Sequence, residues 1–340
     1  MMNDVETRSD QKPSLCFVNC IESGPMEQQA VMLAESIQRW GGKFADCNHY
    51  MVMPRLSAPI ANRTKDQLEK LGVNVVRINP QHKATWYANL NKATALKYVE
   101  EIASEEMICW LDTDILVIDE PIDLELEDGV DFKAMPASTR HDIGVDQKTQ
   151  NHSNYWKKFC QALELVYEEL PTIPSQEREH TEMKMYWQGG VFCYRRICML
   201  GAMHQKMFLQ RLANPVASVD SGVYFYDQTS LALAVWQKKL KWKTLNMHYN
   251  FALNKLRSGE WSVGEFGSTR VIHYFGSMWP DAFEQLIDFV EMERPDVAEF
   301  LRFRGPLENR LGWWQRLFNR CLNFMRKRKF RKFELTAVAY

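Results

Sequence analysis

The chain predicts an α/β fold: a mostly parallel sheet flanked by helices, followed by a basic amphipathic C-terminal helix. Three observations predict it. Strand and helix periods alternate from Ser14 to Pro121, two carboxylates interrupt the last apolar strand of that run, and cations crowd the segment after Asn309.

The elements follow in order. "LCFVNCI" from Leu15 reads as a strand, "MEQQAVMLAESIQRW" as a helix closed by Gly41 and Gly42, and "HYMVMP" as a second strand ending at Pro54. Helix "KDQLEKLG", strand "VNVVRI" and helix "LNKATALKYVEEIA" come next, and then "EMICWLDTDILVIDEP", Glu106 to Pro121. Such alternation, with right-handed crossovers, brings the carboxyl ends of the strands to one edge.

Asp112 and Asp114 stand in that last stretch among Met107, Ile108, Trp110, Ile115, Leu116 and Val117. Burying a carboxylate is costly unless it is paired or bound to a cation. A strand ending at Leu111 removes the conflict, because both carboxylates then lie at the carboxyl end, where open α/β sheets form their ligand crevice. Period-2 alternation turns the two side chains the same way, and two hard oxygen donors aimed at one point suit Mg²⁺ or Mn²⁺. A chain of this size contains about one Asp-x-Asp by composition, so the apolar frame rather than the motif carries the argument.

Composition sets the outer bounds. A chain of 340 residues, 46% hydrophobic and 25% charged, is an ordinary soluble globule with enough length for one large domain. Eight cysteines without C-x-x-C spacing argue against a zinc ribbon and for reduced thiols. The charged start is no signal peptide and no apolar run reaches a spanning length, so a cytoplasmic chain with a disordered N-terminus, residues 1–13, is expected. No G-x-G-x-x-G follows the first strand and no G-x-x-x-x-G-K-[ST] occurs, which weighs against a dinucleotide oxidoreductase and a P-loop NTPase.

The middle, Asp123 to Tyr186, reads as a polar loop "STRHDIGVDQKTQNHSN", a helix "YWKKFCQALELVYEE" and a connector "LPTIPSQEREHTE". Its irregularity marks a candidate acceptor-recognition insert. Beyond it, Gly189 and Gly190 precede the strand "VFCY", Asp227 and Gln228 open an apolar helix, and His273 ends a strand before Gly276 and Pro280. Taken singly, these read more readily as a bulge, a helix cap and a core histidine than as a site.

In this order, WLDTDI, Gly-Gly, Asp-Gln and H-x-x-G-x-x-x-P, the motifs resemble the GT-A fold glycosyltransferases, and most closely the glycogenin and lipopolysaccharide galactosyltransferase-like retaining enzymes. The resemblance covers about residues 14 to 285, within a GT-A-like domain expected over 14–305. It implies that Asp112, Asp114 and His273 hold Mn²⁺ or Mg²⁺, that Asn91, Lys92, Gln188, Gly189 and Gly190 bind donor, and that Asp227 and Gln228 are catalytic. It also implies a nucleotide-sugar donor, a UDP-sugar, and transfer to a glycan or lipid-linked acceptor. Two residues depart from the pattern: Gln188 stands where the family has Asn, and Trp279 where it has a lysine on the diphosphate. Arg270, Arg195 and Arg196 are candidates to replace that charge. The missing lysine also leaves open a catalytically silent glycan-binding or scaffold protein.

The tail, 306–340, is different. From Asn309 onward nine Lys or Arg face Glu334 alone, a net of +8 in a chain whose total is −1. Trp314, Leu317, Phe318, Cys321, Leu322 and Met325 fall on one helical stripe, and "RKRKFRK" follows. A docking helix and a membrane-surface helix both fit, and the pair Trp313–Trp314 favours an anionic membrane surface. No nucleic-acid motif accompanies the cations, so no nucleic-acid partner is expected.

Overall fold

The computed structural model describes residues 13–140, 142–177, 181–257 and 259–340. The expected frayed start thus lies outside the described residues, Pro13 excepted. The alternation is present as β1 (Leu15–Cys20), α1 (Pro25–Trp40), β2 (Asn48–Met53), α2 (Asn62–Lys70), β3 (Val73–Arg77), α3 (Leu90–Ile102) and β4 (Met107–Leu111). Then come β5 (Ile115–Val117), β6 (Phe132–Pro136), α4 (Ser153–Gln161), β7 (Thr172–Pro174), β8 (Glu182–Lys184), β9 (Trp187–Arg195), α5 (Leu200–Ala213), β10 (Val216–Ala217), α6 (Tyr226–Gln237) and β11 (Trp242–Thr244). The chain closes with β12 (Phe251–Ala252), α7 (Leu253–Arg257), α8 (Val263–Phe266), β13 (Val271–His273), α9 (Phe283–Glu293), α10 (Pro295–Arg304), α11 (Trp313–Glu334) and β14 (Val338–Ala339).

Seven strands form the central sheet in the order β11-β6-β9-β4-β1-β2-β3. It is mostly parallel, and β9 alone runs against its neighbours β4 and β6. Side chains alternate across it: Cys16, Val18, Ile108 and Trp110 join the core under α3, α5 and α6, while Leu15, Phe17, Cys109 and Leu111 join the core under α1. β4 stops at Leu111, as the carboxylates require.

Two pairings aim the later motifs at those carboxylates. β13 runs antiparallel to β5 with His273 opposite Ile115, which delivers the histidine beside Asp114. β9 pairs with β4 so that Leu111 faces Val191, and the Asp112 amide donates to the Gly190 carbonyl at 2.8 Å.

Three expectations are corrected. The helix expected over 155–169 ends at Gln161, because Glu164 adopts φ 59° and the Leu165 amide bonds back to the Cys160 carbonyl. Such a left-handed helix stop usually carries glycine, so no local residue announced it. The connector after it is not irregular throughout, since β7 and β8 pair antiparallel. Gly189 and Gly190 lie inside β9 rather than before it, for their carbonyls are partners of Lys92 and Asp112.

The C-terminal helix lies against the domain by an unexpected face. Gln315 donates to Pro59 O, Asn319 links Ser23 to the Ala58 amide, Arg326 donates to Leu56 O, and Phe330 and Phe333 pack on Trp86 and Tyr87. β14 then pairs with β10. The contact face is therefore a mixed stripe, and the apolar one beside it stays exposed: Trp314 at 65%, Leu317 at 47% and Met325 at 53%.

Candidate active site

The carboxyl ends of β1, β2 and β4, the start of β9, the first turn of α6 and the end of β13 open onto one cleft of about 440 Å³. Asp112 and Asp114 sit on the turn after β4. Thr113 between them is buried, and its hydroxyl donates to Cys20 O at 2.7 Å, which fixes the turn to β1. One carboxylate oxygen of Asp112 accepts from Trp110 Nε1 at 2.7 Å and lies 3.2 Å from Lys92 Nζ.

His273 completes a three-ligand cluster. One ligand atom each of Asp112, Asp114 and His273 lies within 4.8 Å of the others. Asn250 Oδ1 sits 3.0 Å from His273 Nδ1, and as a carbonyl oxygen it accepts that N–H, so Nε2 is the nitrogen turned toward Asp114, 3.1 Å away. Burial works against a charged imidazole, but the charge and hydrogen bond of Asp114 outweigh it and raise the His273 pKa. Burial likewise opposes the Asp114 carboxylate, and His273 outweighs it in turn, holding Asp114 below its ordinary value. Two carboxylates and an oriented imidazole at this spacing fit a hard divalent cation in place of the shared proton.

Lys92 is the hub of the other half. From the inner face of α3 its ammonium donates to Gly189 O at 2.6 Å and lies 3.5 Å from Asp227 Oδ2, besides pairing with Asp112. Burial alone would discharge it, but the two aspartates raise its pKa and keep it charged. Asp227 is pushed up by burial and by Asp112, with Lys92 pulling the other way. It is the second residue of α6, whose N-cap is Phe225, so it is not itself the N-cap residue. Gln228 Oε1 is buried without a hydrogen-bond partner among the described residues. That orphaned acceptor marks a place for a ligand hydroxyl.

The glycines are close-approach residues. A Cβ on Gly189 would meet Lys92 Nζ at 2.9 Å, and one on Gly190 would meet Asn250 Oδ1 at 2.8 Å and His273 Nδ1 at 2.9 Å.

Residues 17–239 match the family model of the Rhodobacterales glycosyltransferase domain. The chain belongs to this glycosyltransferase family. Among solved structures it is similar to the bifunctional glycosyltransferase WbbM, with TM-score 0.49 and 12% identity over 89% of this chain and 53% of that one. It is similar also to the galactosyltransferase LgtC in complex with donor and acceptor sugar analogues (TM-score 0.48, 14% identity, 82% and 96% covered) and to GlyE of Streptococcus pneumoniae (0.47, 11%, 88% and 67%). The chain spans about half the length of WbbM. No curated protein sequence matches it.

In this glycosyltransferase the cleft gathers Asn91, Lys92, Asp112, Asp114, Gln188, Gly190, Asp227, Gln228 and His273, and Gly189 adjoins it through its carbonyl on Lys92. Asn91 donates to Glu22, and Gln188 donates to Asp142 at 2.7 Å, while both line the opening. The cations nominated to replace the absent lysine do not line it: Arg270 bonds Asp119 and the Glu120 carbonyl, Arg195 the carbonyls of Val130 and Glu127, and Arg196 the carbonyl of Glu105. Arg55, forked onto Glu22 at the end of β2, does line it. Also unforeseen were Asn250, which orients the histidine, and Phe275, whose ring stacks on His273 with centroids 3.7 Å apart. Buried His204 belongs to the same group, since its Nε2 lies 2.8 Å from Asp227 O and burial drives its pKa to about 3, so the neutral ring donates there.

Proposed function

We propose that the chain is a metal-dependent glycosyltransferase moving a sugar from a nucleotide-diphosphate sugar, a UDP-sugar, to a glycan or lipid-linked acceptor with retention of configuration. The convergence of Asp112, Asp114 and His273 at the carboxyl ends of the strands carries this reading. The cation, Mn²⁺ or Mg²⁺, when bound would neutralise charge developing on the leaving diphosphate. Lys92 holds Asp112 and Asp227 in place, and Arg55 adds a second cation to the cleft wall where the Trp279 position supplies none. Asp227 and Gln228 present lone pairs toward the sugar site, the charge complement that a positive anomeric carbon needs. Asn91, Gln188, Gly189 and Gly190 shape the donor side, and the loop around Asp142 stands on the acceptor side.

The acceptor lies at an anionic membrane surface that α11 touches peripherally. Among the described residues no helix is long and apolar enough to cross a membrane. Exposed Trp313, Trp314, Leu317, Phe318, Phe324 and Met325 beside the run Arg326–Lys329 make an interfacial surface, each cation contributing about 1 kcal/mol near anionic lipid.

Thermal unfolding of the full chain with a panel of sugar nucleotides, with and without Mn²⁺, tests the reading. One sugar nucleotide at 100 times its Kd is expected to add about 2.7 kcal/mol only when the metal is present. Stabilisation without metal, or by none of the panel, contradicts it.

A further inference from the structure

A second concavity lies beside the cleft and differs from it in kind. About 620 Å³ in volume, it is walled by Met53 at the carboxyl end of β2, by Val75 within β3, by Leu56, Pro59 and Ile60 of the loop after β2, and by Trp314 and Phe318 of α11. That volume falls within the ~300–1,000 Å³ of small-molecule pockets. The catalytic cleft is lined mainly by charged and polar groups. This groove is lined mainly by carbon, and only Lys65 and Arg77 bring charge. Neither cation forms an ion pair among the described residues.

Position gives the groove its meaning. Arg55 lines the cleft and Leu56, the next residue, lines the groove, so the two share one turn of chain. Arg326 of α11 donates to the carbonyl of Leu56 at that divide. One wall is thus the helix whose exposed aromatic residues suit a membrane interface, and the other is the domain that holds the donor.

From these juxtapositions we infer that the groove seats the hydrocarbon chain of a phosphate-bearing lipid acceptor, its phosphate against Lys65 and Arg77 and its sugar directed over the 55–58 turn into the cleft. Apolar walls supply affinity for the chain, and two cations without carboxylate partners supply it for the headgroup. The inference rests on the sugar-transfer reading and names its acceptor class.

Decyl phosphate, kept below its micelle concentration and titrated calorimetrically into the full chain, is the probe. Saturable one-to-one binding is expected, weakened tenfold or more by Phe318→Glu and by Arg77→Glu. Phe303→Glu, on the exposed face of α10 outside both the groove and the interfacial surface, should bind it as the parent does. Equal affinity in Phe318→Glu and the parent, or displacement of decyl phosphate by inorganic phosphate at matched concentration, overturns the assignment. Mn²⁺-dependent donor binding is measured separately on each protein. Intact donor binding with no decyl phosphate site sinks only the groove; the reverse result sinks the sugar-transfer reading and leaves the groove standing.

Discussion

The cleft and the C-terminal helix both concentrate charge, and they handle it in opposite ways. In the cleft, Lys92, Asp112, Asp227, Asp114 and His273 are locked against one another, largely out of water, and the pKa values of Lys92, Asp114, Asp227 and His273 are displaced with identifiable causes. Along α11 the cations from Lys327 to Lys332 project into solvent, next to apolar residues that are just as exposed. Desolvated charges that stabilise one another are poised to act on a reacting group. Exposed cations beside exposed Trp and Phe are offered to something outside the molecule. Substitutions in the two regions should therefore fail differently.

The largest loss is expected at Asp227. Asp227→Asn keeps the shape and removes the charge that strengthens as the anomeric carbon becomes positive, so turnover should fall at least a hundredfold with donor Kd nearly unchanged. Parallel loss of donor affinity and turnover would make Asp227 a binding residue only.

Lys92→Met breaks a buried network and leaves two aspartates facing each other. A cost of about 3–5 kcal/mol in denaturant unfolding is expected. Asp227 already has a raised folded pKa, so the folded state holds its proton more tightly than the unfolded chain does. Stability from that proton grows as pH falls through the raised value toward the ordinary carboxylate range, and the variant should recover part of its loss at acid pH. A loss independent of pH would mean that Asp227 is not the group left unpaired.

Gly190→Ala is the next probe, since its Cβ would press on both Asn250 and His273. Losing the second partner of a metal-binding histidine typically weakens the metal ~10–100-fold, and the same is expected of Asn250→Ala. Mn²⁺ titration by electron paramagnetic resonance measures it. Apparent Mn²⁺ affinity in the parent should also increase as pH rises through the His273 pKa, because the metal takes the place of its proton.

The smallest catalytic effect belongs to α11. Changing Lys327, Arg328 and Lys329 to Glu should abolish salt-sensitive co-sedimentation with anionic vesicles and leave turnover on a soluble acceptor within about twofold. Truncation is a poorer probe than recharging, because Phe330 and Phe333 pack on the domain. Unchanged vesicle binding would assign the helix to docking alone.

What could be read from the sequence follows the range of the interactions. The strands and helices up to Leu111 have local periods, and the break at Asp112 and Asp114 follows from the cost of burying them, so both were legible. His273 came from the order of motifs and not from its surroundings, since its approach to Asp114 depends on the pairing of β13 with β5, His273 against Ile115, 158 residues apart in the chain. Asn250, Arg55 and His204 act through partners 23 to 33 residues away and carry no local mark. The stop at Glu164 escaped notice because no glycine stands there. For α11 the apolar stripe was found and its use was not: the helix docks through Gln315, Asn319 and Phe333, leaving the stripe open.

The central claim is that Asp112, Asp114 and His273 bind the donor through a divalent cation. Calorimetric titration of the full chain with a UDP-sugar, with Mn²⁺ and with chelator, beside Asp114→Asn, tests it most directly. Saturable binding that needs Mn²⁺ in the parent and vanishes in a folded Asp114→Asn protein is the predicted result. Equal donor affinity with chelator, or in the variant, would contradict it.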